Sequence, residues 1–502
     1  MTRRTGRRPS AAQLRRDASK GSAAGGIEGG RFQPLSKQQT TEIIDSAYGL
    51  LENTGLSEAP DFVTERVCDA GGRIHQNRLL FPRELVEALI HQAPSGFTLY
   101  GRQEIHDLDL SGHRVHLGTG GAAPMILDAE TGQYRRSTLK DLYEAARLVD
   151  SLQHIHFLSR PLVAGDMPDE LALDVNTAYA CLAATTKHVA TSASNGSTAQ
   201  QVANLCFEVA GAAELFQQRP FLSLNVNHVV PPMRMSEDAM EVLQVAAENG
   251  LPAHCNVFAQ VGASTPVNFA AAIAQTLAEA LAGMVFSWII NPEAKVICGP
   301  KPMIVDLRTG AMSGGGGEQA VVMAAAAQVA RSLGLPNVSI AGASDSKTPD
   351  IQSGAEKALA VTLAAQAGSN LVTQACGMHA GLMGVSLESY VLDNDMLGSV
   401  MSSLQPFDTD DMQMEAVHVA VTEGDGHFLG DEATLERMNS DFVYPEIANR
   451  TDFQTWQEQN QPQQIDIARD EVNKVLAKDP VSLIPPEVDQ QIRTKFDIRL
   501  EC

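Results

Sequence analysis

From about residue 113 onward the chain alternates between two patterns. Short apolar runs fall at 115–118, 156–163, 188–192, 221–226, 253–259, 295–298, 337–341 and 370–375. Between and after them, helical spacing appears at 138–152, 168–184, 197–213, 236–249, 266–290, 315–333, 351–367 and 387–404. Several of these stretches open on Ser, Thr, Pro or Asp, the residue types that start helices. The apolar runs need not alternate with polar residues if the strands are buried on both faces, as in parallel sheets. Eight strands alternating with helices predict an α/β fold of the (β/α)8 TIM-barrel type over 113–407, with its chemistry in the loops past the strands' carboxyl ends.

The flanks read differently. Helical patterns at 36–54, 60–71 and 82–92, a short extended piece at 79–81 and a hairpin-like stretch at 100–117 with a turn at Ser111 and Gly112 make 31–112 an N-terminal helical and hairpin cap. Residues 408–502 read as a C-terminal helical extension with a loop at 423–431, a short helix at 434–438, a proline turn at 444–446 and a final helix near 465–478. The longest apolar stretch, 269–290, is broken by Gln275, Glu279 and Ser287 and reads as a buried helix, so no membrane association is expected. Residues 1–30 form a basic tail, with Arg3, Arg4, Arg7, Arg8, Arg15, Arg16 and Lys20 against Asp17. The tail is expected to be disordered and solvated, although its arginine and serine content also has the character of a transit peptide.

Composition narrows the function classes. The 502 residues are 44% hydrophobic and 19% charged, ample for a large core, and a net charge of −23 opposes a nucleic-acid surface. Seven cysteines, an odd number with no C-x-x-C, suit reduced thiols in a cytoplasmic protein.

Candidate chemistry concentrates at 336–397, where strand, helix, strand and glycine-rich turn form one βαβα unit. A right-handed crossover puts both loops on one edge of the sheet, making Asp345, Lys347, Cys376 and His379 neighbours. His379 sits in a glycine-flanked loop and is the leading catalytic candidate, with Asp345 beside it. Gly314, Gly315 and Gly316 precede Glu318 at the start of a helix, where backbone N–H groups can approach an anion or cofactor. Asp306, Arg308 and Met312 flank that loop. A second close-approach loop, GTGG, lies at 118–121. His228, Asn225, Asn227, His254 and Asn256 lie on strands or strand ends, as either site or core residues. The patterns G-x-x-x-x-G-K-[ST], H-E-x-x-H and G-x-S-x-G are absent, and no protein-ligated metal is expected.

Three separated motifs carry a resemblance. AGASDSK-x-P-D-x-Q-x-G-x-E-K at 341–357, LDND at 392–395, and G-H-F-L-x-D-E-x-T-L at 426–435 with YPE at 444–446 together resemble the trimethylamine methyltransferase family. The resemblance implies a barrel that takes a methyl group from a methylamine and passes it to cobalamin on a partner corrinoid protein. One branch of the family uses pyrrolysine in the loop matching 342–344. Here that loop reads Gly342, Ala343, Ser344, which resembles the non-pyrrolysine branch acting on quaternary amines such as glycine betaine or carnitine. A quaternary ammonium already carries the charge that makes its neutral amine a leaving group, so the protein must supply positioning and a dry cavity. Asp345, Glu318 and Phe157 are candidates to hold the cation, Arg308 to take a substrate carboxylate, and Cys376 to touch substrate or cofactor. By resemblance His379 would face the cobalt or the departing methyl, beside the cofactor-binding glycines. The corrinoid signature D-x-H-x-x-G is absent, so cobalamin is expected on another protein. A tetrahydrofolate acceptor, or a betaine-binding barrel without catalysis, are the alternatives. The amine and the oligomeric state stay open, a homo-oligomer among the possibilities.

Overall fold

Eight parallel strands follow one another in the expected order in the computed structural model, which describes residues 26–501 except 408, 410, 411 and 425. They are β1 Arg114–Leu117, β2 Phe157–Ser159, β3 His188–Thr191, β4 Leu222–Val226, β5 Ala253–Gln260, β6 Val296–Met303, β7 Val338–Ile340 and β8 Leu371–Thr373. The helices that follow them are α1 Leu139–Ser151, α2 Glu170–Ala184, α3 Gly196–Ala210, α4 Glu237–Asn249, α5 Phe269–Ile290, α6 Gly317–Ser332, α7 Ile351–Gln366 and α8 Leu387–Ser402. Strands β2 to β6 pair in succession as one parallel sheet, and β7, β8 and β1 as another. Single parallel bridges link the two sheets, Gly118 to Phe157 at one seam and Cys298 to Asn337 at the other. The strands therefore curl into a ring of two arcs whose seams are held by one bridge each, not by a continuous ladder.

The seam beside β6 has a reason in the sequence. Cys298 N–H donates to Pro336 O at 2.8 Å. Alternate residues of a strand turn their N–H groups to the same neighbour, and the next two on that side are Pro300 and Pro302, which have none. Toward β5 the pairing runs unbroken from Ala253 opposite Val296 to Gln260 opposite Met303. The apolar run expected at 295–298 is therefore only the first half of a longer strand. The prolines interrupt only one side.

Leu99, Leu108 and Leu110 plug the lower end of the ring against Phe157, Ile297, Val338 and Leu371. The hairpin expected at 100–117 is shorter and earlier, pairing Thr98–Leu99 with Leu108–Asp109. Arg114–Leu117 is instead drawn into the parallel sheet by β8, with His116 opposite Leu371. On its other side Ile27–Glu28 pairs antiparallel with β1, so the expected tail is an ordered edge from there; residues 1–25 lie outside the described residues.

The cap contributes helices Lys37–Asn53, Asp61–Asp69 and Arg83–Gln92, the first opened by a reciprocal capping box between Ser36 and Gln39. Helix α5 is the one helix among the described residues long and apolar enough to cross a membrane, and 83% of that window is buried inside the protein. It packs against β5, β6 and Lys37–Asn53. At the far end, Gln464–Leu476 packs on α8 and α1, and a further helix, Pro486–Lys495, packs on α3.

Candidate active site

The strands' inward residues form layers. Along β5 the inward side chains are His254, Asn256 and Phe258, and their register partners on β6 are Ile297, Gly299 and Lys301. In the lowest layer His188 Nε2 meets Ser223 Oγ at 2.9 Å, and the same oxygen meets His254 Nε2 at 3.0 Å. Burial lowers the pKa of both imidazoles, that of His188 to about 4. This is a neutral, hydrogen-bonded floor. His228 is likewise a core residue, its Nε2 against Glu279 O at 2.9 Å. Above the floor, Asn256 donates to Asn225 at 3.2 Å and Asn225 donates to Ser159 Oγ at 3.2 Å. Gly299 makes room for that layer, because a Cβ there would lie 2.4 Å from Asn256 Oδ1.

The top layer opens into a cavity of about 130 Å³ at the carboxyl ends of the strands. Its wall includes Ser159 at the end of β2 and Arg160 just after it, Asn225 and Asn227, Asn256 and Phe258, Lys301, Gln374 and Leu382. Lys301 is 1% exposed and its ammonium lies 4.8 Å from the centroid of the Phe258 ring. It makes no hydrogen bond or ion pair with any described residue, and burial pushes its pKa down to about 7. Arg160 stands on the opposite wall, four strands round the ring, with its Nε buried and unpartnered. Burial lowers its pKa, opposed by the more distant Asp174 carboxylate. No Asp, Glu, His or Cys lines the cavity among the described residues, and none of them group as a metal-binding cluster.

Three non-glycine residues of this wall have left-handed backbones: Ala122 (φ 47°), Gln374 (φ 57°) and Leu382 (φ 74°). Such conformations carry strain and concentrate at binding and catalytic sites. With its amide turned so that the oxygen faces Gly121 N–H (3.0 Å) and the nitrogen faces Thr373 O (3.0 Å), the Gln374 side chain satisfies both of its ends.

The residues singled out from sequence are distributed differently. The loops after β7 and β8 do meet, Ala380 N–H donating to Ser346 O at 2.7 Å and Gly381 N–H to Ser344 O at 3.0 Å. Neither His379 nor Asp345 lines the cavity. His379 is sealed in the interior, its Nε2 2.7 Å from Ser389 Oγ of α8. Burial, then the Lys357 charge, depress its pKa to about 3, so the imidazole is neutral. Asp345 accepts from Gly314 N–H at 2.8 Å and from Gly315 N–H at 3.3 Å, so those N–H groups serve a side chain of the neighbouring loop. A Cβ on Gly315 would lie 2.2 Å from the Glu356 carboxyl group, and one on Gly314 2.6 Å from Ala343 O. The run, with Gly316 completing it as the N-cap of α6, is glycine because two loops interlock there.

Glu318 is exposed in the first turn of α6. Arg308 is on the surface, paired with Asp306 at 2.7 Å within its own turn. Phe157 begins β2 and belongs to the lower plug, its ring pressed against Gly118, where a Cβ would lie 2.5 Å away. Cys376 is fully buried, and burial holds its thiol well above the usual range. Of the sequence candidates, Asn225, Asn227, Asn256 and Gly121 reach the cavity. Lys301 was hidden because it stands between two prolines, and Arg160 because the apolar run around it read as continuous strand. Counting two residues on from Gly299 along an uninterrupted β6 would have found the lysine.

The family model described as trimethylamine methyltransferase (MTTB) matches residues 3–500. The chain is 27% identical over 470 residues, 93% of its length and 96% of the relative's, to a glycine betaine methyltransferase of Desulfitobacterium hafniense (strain Y51). It is 27% identical over 444 residues, 88% of its length and 89% of the relative's, to trimethylamine methyltransferase MttB of Methanosarcina barkeri. Among solved structures, the hydroxylamine complex of MtmB aligns with a TM-score of 0.48 and 13% identity, covering 93% of this chain and 92% of that one.

Proposed function

The chain belongs to the trimethylamine methyltransferase family and is a methyltransferase, and from that premise we propose that it demethylates a quaternary methylamine of the betaine type and delivers the methyl group to cob(I)alamin on a separate corrinoid protein. The observation that carries the reading is the cavity wall: small, at the strand ends, and free of carboxylate, imidazole and thiol among the described residues. A quaternary donor needs no general acid, because its nitrogen keeps the C–N electron pair and leaves as a neutral tertiary amine. In the same step the cobalt's electron pair forms the Co–C bond, taking Co(I) to Co(III). The sequence contains no pyrrolysine to activate a tertiary amine. What the protein supplies is alignment of one methyl group toward the mouth and exclusion of water. A corrinoid macrocycle is far larger than the cavity, so the acceptor meets the substrate from outside, at the rim.

The reading is tested by incubating the purified chain anaerobically with glycine betaine and cob(I)alamin. Dimethylglycine and methylcobalamin are expected to form together, one for one. Dimethylglycine formed with tetrahydrofolate and no corrinoid would overturn the acceptor, and none with either acceptor would overturn the betaine.

A further inference from the structure

Lys301 forms no ion pair with any described residue, and no carboxylate lines the cavity beside it. An ammonium 1% exposed and unpaired is costly, because burial strips it of its hydration without a partner to replace it. The Lys301 ammonium lies over the face of Phe258, a cation–π contact that offsets only part of that cost. Arg160, on the opposite wall, has its Nε buried and unpartnered, and the one carboxylate that acts on its charge, Asp174, lies outside the cavity wall. Two cations thus face one small cavity with no acid between them. Phe258 is the one aromatic ring in the wall and Lys301 already takes one of its faces, so the wall offers no aromatic cage for a methylated ammonium.

We propose that Lys301 and Arg160 are the specificity-determining residues of the site, binding the carboxylate of a zwitterionic substrate, so that recognition rests on the anion and not on the ammonium. This rests on the proposed demethylation of a betaine and names the residues that select it. A methylated cation without an anionic group is repelled by the same pair, which discriminates against choline, tetramethylammonium and trimethylammonium. The amides of Asn225 and Asn256 hold the middle layer and contribute polarity without charge.

The test uses titration calorimetry of the full chain at pH 6, where Lys301 is mostly protonated, with no methyl acceptor present. Three probes are compared: glycine betaine; 3,3-dimethylbutanoate, in which carbon replaces the charged nitrogen; and choline, which keeps the ammonium and lacks the carboxylate. Both carboxylates are expected to bind and choline to bind at least about tenfold more weakly, as for the loss of a hydrogen bond to a charged group. Lys301→Met should lower carboxylate affinity about tenfold or more and leave choline no weaker. Arg160→Gln should act in the same direction, with far-ultraviolet circular dichroism confirming that both variants fold. Choline binding as tightly as glycine betaine, or carboxylate affinity unmoved in both folded variants, would overturn the assignment. Failure of methyl transfer with carboxylate binding intact would instead count against the proposed reaction.

Discussion

A lysine buried without a partner leaves a signature in stability. The folded-state pKa of Lys301 is about 7, against 10.5 for a free lysine. Below pH 7 the group is charged in both states and the fold carries the full desolvation penalty; above 10.5 it is neutral in both and the penalty is gone. Between those values the unfolded chain holds more protons, so stability rises with pH. Each pH unit between the two values is worth about 1.4 kcal/mol, making the penalty a few kcal/mol. Lys301→Met, leaving Phe258 and His254 in place, is therefore expected to be more stable than the wild type below pH 7 in urea unfolding, with the difference vanishing near pH 10.5. A variant less stable at pH 6 would mean that an unrecognised partner holds the ammonium. Glu279 gives the converse case. Burial pushes its pKa up to about 7 from 4.5, although it accepts from Met233 N–H at 2.6 Å. Its folded form holds the extra proton, so its contribution is full below pH 4.5 and is lost as pH rises through 7. Glu279→Gln keeps an acceptor for Met233 and is expected to flatten that slope, read from unfolding midpoints at several pH values.

At the scale of elements, the residues that made the family legible are mostly clamps. Asp393 of LDND accepts from buried Lys357 at 2.7 Å and from Gly377 N–H at 2.8 Å. Asn394 accepts from His154 N–H at 2.9 Å, and Asp395 accepts from the backbone of Glu446, Ile447 and Ala448 at 3.0, 2.7 and 2.8 Å, tying the YPE turn to α8. Glu356 accepts from Ser344 Oγ at 2.7 Å and Asp345 N–H at 2.8 Å. Asp393→Asn leaves Lys357 as an uncompensated buried charge and should cost about 3–5 kcal/mol in denaturant unfolding. Gly315→Ala must displace Glu356 and should cost about 1–3 kcal/mol, while carboxylate binding in the cavity persists. Loss of binding in proportion to stability would return the glycine loop to the site. Polar residues in short motif-like strings were easy to read from sequence, but spacing alone could not say whether they faced the cavity or each other. That depends on which loop lies above which. The helices of the cap and ring were legible to within a few residues because their caps and apolar spacing are local signals, whereas Met414–Thr422, Phe453–Glu458 and Pro486–Lys495 in the C-terminal extension were not foreseen. The extent of β6, and the lysine on it, depend on which neighbour each proline faces, a tertiary fact.

At the scale of the molecule, the ring sets a division of labour. Its lower end is filled by leucines of the cap hairpin and by Phe157, its middle by neutral hydrogen-bonded His, Ser and Asn side chains, and its upper end by two cations around a cavity. Inside the ring, charge is confined to the one layer that a small molecule can reach, and that layer faces the rim at which the proposed acceptor would approach. The most direct measurement follows glycine betaine with trideuterated N-methyl groups, in the presence of cob(I)alamin, by mass spectrometry. The account predicts one labelled methyl on cobalt for each dimethylglycine released, with the rate at subsaturating substrate falling about tenfold or more in folded Lys301→Met. Betaine bound by the wild type with no labelled methyl ever reaching cobalt would contradict it.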